Sequence, residues 1–130
     1  DFEVGAIADA SEDDATARKF YRMLQDKHGL KSSWNAMTMI GLGQSIVAVR
    51  AIEAAVKANG ADKVTGEAVH AALLATPFTS AELMGLLPGV DFSVDSPFPT
   101  GSAKVNVATM KEGKVVRAAG DVAVPTVPKW

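Results

Sequence analysis

Apolar positions recur at helical spacing through the first 76 residues and in alternation after residue 85, so the chain divides into a helical part and a strand part. The longest helical pattern is 34–59, WNAMTMIGLGQSIVAVRAIEAAVKAN, with only three charged residues, Arg50, Glu53 and Lys57. Spaced three and four apart, these form one solvated stripe, and Glu53 precedes Lys57 in the favourable order for an i,i+4 pair. Traced backwards, the same face passes through Ile46, Gly43 and Met39, so the first half of the helix is apolar all round. A helix of that kind is buried, and something must cover 39–46: the rest of the domain, a second domain or a ligand.

Other elements follow from the same reading. Residues 1–10 alternate weakly through Phe2, Val4, Ala6 and Ile7, the pattern of a short strand. Ser11 has the chemistry of an N-cap, and Glu12, Asp13 and Asp14 would fill the first turn of a helix over 12–28. Ala17, Phe20, Met23 and Leu24 form its apolar stripe, Lys27 and His28 occupy its last turn, and Gly29 ends it. Asn59-Gly60 closes the long helix, and Thr65 caps a third over 66–75, with Val69, Ala72 and Leu73 buried and Pro77 as the stop. Residues 80–84 read as a helical turn. Beyond Gly85, Val90, Phe92 and Val94 alternate, as do Ala103, Val105 and Val107, with the proline-bearing loop 96–101 between them. Lys111-Glu112-Gly113-Lys114 is a hairpin turn joining 107–110 to 115–117, and 120–130 is a last strand or extended tail.

Bulk properties narrow the function. The chain has 130 residues, the size of one domain, with 48% apolar and 22% charged residues. A formal net charge of -2 with scattered lysines and arginines gives no basic field for nucleic acid or for an anionic membrane. There is no cysteine, so thiolate catalysis, disulfides and Cys-based metal sites are excluded. Arg50 interrupts the nearest candidate for a membrane span, so the chain is expected not to cross one. It opens on Asp1 without an initiator Met or a signal-peptide pattern, and is expected to be a mature form or a piece of a longer protein.

Catalytic and metal motifs fail residue by residue. Gly41-Leu42-Gly43 begins a dinucleotide fingerprint, but Ile46 stands where the third glycine belongs, and no strand precedes it. Gly43-Gln44-Ser45 begins a nucleophile elbow, but Val47 replaces its closing glycine. These glycines are better read as allowing close packing or a bend in the helix. Asp91, Ser93 and Asp95 start like a calcium loop, with Ser96 in place of the turn glycine and Ser102 in place of the final Glu. His28 sits at a helix end, and His70 has only Glu67 beside it on its helix, so neither has a second ligand at metal spacing. No nucleophile, base and orienter assemble, so no catalytic residue, metal or cofactor is expected, and the chain reads as a non-enzyme.

The order of features resembles the C-terminal part of type I periplasmic substrate-binding proteins, the branched-chain amino acid and aromatic-compound receptors of ABC transporters. It is carried by the helix end KFYRMLQDKHG at 19–29, the Ala-rich helix ending in Asn-Gly at 48–60, EAVHAAL at 67–73, GLLPGVDFS at 85–93 and the EGK turn at 112–114. These cover residues 19–116, and the Gly-Leu-Leu-Pro before the strand is closest to the aromatic-compound branch. One departure stands out: many members place Tyr or Trp at the start of the long helix, facing the cleft, where this chain offers Ile46 or Leu42.

The resemblance implies an α/β chain, part of a two-lobe type I periplasmic-binding-protein fold. As an isolated chain it would be three helices followed by three or four short strands. Residues 1–85 would pack on the first lobe, 86–92 would form a hinge crossing, and 93–130 would join the second lobe. The implied function is trapping of a small amino acid or aromatic carboxylate between lobes and delivery to the permease, in the periplasm. Met39, Leu42 and Ile46 would be an apolar wall, with Gln44 and Ser45 as hydrogen-bonding groups. The remaining partner is the rest of the receptor chain, or a second copy exchanging elements with it. Two alternatives stay open: a self-contained α+β domain that binds by sheet addition, and a small hydrolase domain.

Overall fold

In a computed structural model, described for residues 2–4, 12–95 and 104–123, the order is strand β1 (Phe2–Val4), helices α1 (Thr16–His28), α2 (Ala36–Asn59) and α3 (Gly66–Ala75), then strands β2 (Lys104–Lys111) and β3 (Lys114–Ala123). The class is mixed: three α-helices and a small antiparallel sheet. One strand precedes the helices, and only two follow them among the described residues, fewer than the three or four expected. Ser11, the 96–101 loop and the tail beyond residue 123 lie outside the described residues.

Helix α1 starts at Thr16 rather than at Glu12. The acidic residues form a turn ahead of it, closed by the Ala15 N–H on the Glu12 carbonyl at 3.1 Å. Asp13 is held there by Arg18 (3.2 Å) and Arg22 (3.0 Å), neighbours one helical turn apart. The carboxylates therefore serve side-chain pairing in place of a helical first turn. Gly29 ends the helix in the left-handed conformation, φ 69° and ψ 23°, as expected. Its most buried large residue is Tyr21, which the apolar pattern had passed over. The hydroxyl donates to the Ser32 carbonyl at 3.2 Å, and the ring lies 4.9 Å from that of Trp34. Burial is tolerated because the phenol has its partner.

Helix α2 begins two residues later than the pattern implied because Asn35 is a strong cap. Its side chain accepts from the Thr38 N–H (3.1 Å), and Thr38 Oγ1 accepts from the Asn35 N–H (2.8 Å). The helix runs unbroken through Gly41 and Gly43 for 24 residues. Gly60 leaves it with positive φ but an extended ψ of 152°, outside the left-handed region that a glycine after a helix commonly adopts, and leads into a short 3-10 turn, Ala61–Lys63. By length and composition alone α2 could cross a bilayer, Arg50 notwithstanding, but a core helix has the same properties. Here one of its faces is core.

That face, Met39, Gly43 and Ile46, is covered from within the chain. Phe78 and Val90 form an antiparallel bridge, each N–H bonding the other's carbonyl at 2.9 Å, and close a loop whose apolar residues turn inward. Leu83, Leu86, Phe78 and Val90 join Met39, Ile46, Ala51 and Ala17 in one buried cluster. The expected strand through Val90, Phe92 and Val94 is therefore absent from the described structure. Val90 spends its pairing on Phe78, and Val94 is 81% exposed with no partner strand to hold it. The helical turn at 80–84 forms as expected, ending with Met84 and Gly85 at positive φ and the Gly85 N–H on the Ser80 carbonyl at 2.8 Å.

Two expectations for α2 are corrected. Arg50 is not on a free solvated stripe: its Nε donates to the Glu82 carbonyl (3.1 Å), and its NH1 pairs with Glu53 (2.6 Å), which takes the carboxylate expected to pair with Lys57. Nor is the first half buried all round, since Met37 (73% exposed) and Ile40 face outward. A 3.6-residue repeat of apolar residues says how much surface could be buried, not which side finds a neighbour.

The sheet order is β1-β2-β3, antiparallel throughout, with Phe2 opposite Ala108 and Lys111 opposite Lys114. The hairpin turn is where the sequence puts it, with Glu112 (φ 52°) and Gly113 (φ 75°) both at positive φ, as a two-residue I′ turn requires. Register slips between the pairs Val105–Val122, Val107–Ala119 and Ala108–Arg117 leave extra residues in β3, ten against the eight of β2, with Gly120 inside the first slip. Ala108 is fully buried in the middle strand, yet among the described residues the helical cluster takes no member from the sheet.

Two outcomes follow from this packing. Leu83→Ala should lower stability by about 2–5 kcal/mol, seen as a lower urea midpoint at unchanged m-value; a loss within about 0.5 kcal/mol would mean that the loop is not part of the core. Glu112→Asn should stabilise the hairpin by a few tenths of a kcal/mol to about 1, since Asn tolerates the left-handed region better than Glu. Slower amide exchange across β2–β3 would register the gain, and unchanged or faster exchange would contradict it.

Candidate functional site

The five residues expected to meet ligand all lie on the first half of α2, but they do not share a face. Met39 and Ile46 are nearly inaccessible, 6% and 7% exposed, within the cluster under the 78–90 loop. Leu42 is half-buried against that cluster, whereas Gln44 and Ser45 are exposed on the opposite side. The Ser45 hydroxyl donates to the Gly41 carbonyl at 2.8 Å, which occupies its proton and leaves its lone pairs to accept. On a helix, positions 39, 42 and 46 fall on one side, and 44 and 45 are rotated away from it.

Gly43 lies on the buried side, with Met39 and Ile46, under the 78–90 loop. A Cβ built there would stand 3.5 Å from Leu87 Cγ and 3.7 Å from Leu86 Cβ, ordinary contact distances, so it is the loop, not another helix, that packs over this position. Gly41 has nothing comparable near it. The packing expected of these glycines thus belongs to Gly43 alone.

The loop is tied down by polar contacts as well. Glu82 Oε2 accepts from the Thr79 N–H and hydroxyl, each at 2.7 Å, and Thr79 Oγ1 accepts from the Glu82 N–H at 3.3 Å. The bonds from the Thr79 hydroxyl and then its backbone N–H hold the Glu82 carboxyl below its ordinary range; partial desolvation opposes this, and the Arg50 charge adds to it. Glu67 is lowered likewise, by the backbone N–H bond at its own position and then by Thr65 at the start of α3. Both are helix-start or turn-capping geometry. Among the described residues, no group of three or more His, Asp or Glu side chains gathers as a metal would need.

The aromatic pair at the approach to α2 lay outside the expected set. Trp34, one residue before the cap, is partly buried against the core and packs its ring on Tyr21. Its indole N–H is buried and has no hydrogen-bond partner among the described residues. A buried donor left unpaired costs about 1–3 kcal/mol, so such groups call for a partner. The signal was the tryptophan itself, but no periodicity links positions 21 and 34. Only the turn through Leu30–Ser33, fastened by the Gln25 side chain to the Ser32 carbonyl at 2.9 Å, brings them together.

Searches against models of protein families, against curated proteins and against solved structures give no match to this chain.

Gly43→Ala should be tolerated or stabilising by up to about 1 kcal/mol, because its Cβ meets only ordinary contacts and the helix gains propensity. Gly43→Leu should cost about 1–3 kcal/mol by overpacking. Urea midpoints distinguish the two, and an equal loss in both would contradict the geometry. For Glu82, the folded carboxyl has the lower pKa, so its contribution is complete above the ordinary value of about 4.3 and fades as pH falls through the folded one. The melting-temperature gap between the wild type and Glu82→Gln should therefore narrow from about pH 6 to about pH 3. A gap constant with pH would separate Glu82 from this role.

Proposed function

We propose that this chain is the C-terminal part of a non-enzymatic solute-binding receptor of an ABC transporter, built on the two-lobe type I periplasmic-binding-protein plan. The reading rests on the ordered motifs from Lys19 to Val116. The observation that carries it is that α2 leaves Met37, Ile40, Val49, Ile52 and Val56 exposed while, among the described residues, the helical core takes no member from the sheet. Both are the surfaces that a piece of a larger fold would present to the remainder of its own chain. In a receptor of this plan, a small amino acid or aromatic carboxylate is enclosed between lobes by hinge closure and passed to membrane permease subunits in the periplasm.

Within that proposal the start of α2 is this chain's contribution to the cleft. Gln44 and Ser45 offer hydrogen bonds from the exposed face, and Leu42 is the member of the apolar wall nearest the surface, with Met39 and Ile46 supporting it from the core. A second reading, a self-contained domain that binds by sheet addition, draws on β3 standing at one edge of the three-stranded sheet.

A thermal-shift panel of amino acids and aromatic acids, run on the intact protein carrying this chain, tests both. The receptor predicts a rise in melting temperature with one class and no turnover, since ligand at about 100 Kd adds about 2.7 kcal/mol. No shift with any member of the panel would count against the receptor and for the interaction domain.

A further inference from the structure

We draw no further inference here: the strongest candidate, the exposed apolar residues Met37, Ile40, Val49, Ile52 and Val56 along the long helix, has nothing in the structure to show what covers it.

Discussion

The closure of the 78–90 loop over one face of α2 is the contact on which the helical part depends. Leu83 and Leu86 fill the space above Met39 and Ile46, and Phe78 and Val90 both bury their side chains and pair their backbones to close the loop. Burying each such side chain contributes about 1.5–3 kcal/mol, so four of them outweigh any polar contact in the same region. Leu86 and Leu87 pack over Gly43, where a side chain larger than a methyl group would push them back. The same loop takes up Met39 and Ile46, so the choice of which helix face is core and which is open is made there.

Polar groups then fix how the loop lies. Arg50 reaches from α2 to the Glu82 carbonyl and also holds Glu53, while the Glu82 carboxylate caps Thr79 at the loop's entry. An exposed ion pair such as Arg50–Glu53 contributes only about 0.2–1 kcal/mol, so its part is orientation more than stability. Tyr21 and Gln25 do the equivalent at the other end, fastening Ser32 so that the chain enters α2 with Trp34 against the core. Asn35 and Thr38 set the helix start within this approach.

The consequence for function lies in what is left uncovered. Exposed apolar side chains along α2, and a sheet that among the described residues gives no member to the helical core, are costly to leave in water, and a larger fold that supplied their neighbours would remove that cost. The proposed receptor has such neighbours in its lobes, and its cleft would lie near the residues that α2 presents outward. Of the expected ligand set, Gln44 and Ser45 remain accessible, whereas Met39 and Ile46 are committed to packing within the chain.

Local rules in the sequence determined the three helices, the Gly29 stop, the Thr65 cap and the Glu112-Gly113 hairpin turn, because each depends on residues within a few positions of one another. They also located the apolar half of α2 and the glycine that lets something approach it. Tertiary structure alone decided the rest. Whether Val90 to Val94 pairs as a strand depends on a partner, and Phe78 supplied one only for Val90. Whether Arg50 faces water depends on a carbonyl 32 residues away. The candidate site divided for the same reason: Met39, Leu42, Gln44, Ser45 and Ile46 are neighbours in sequence, but burial belongs to the side on which the loop closes. Periodicity lists the faces a helix has, and only long-range packing chooses among them.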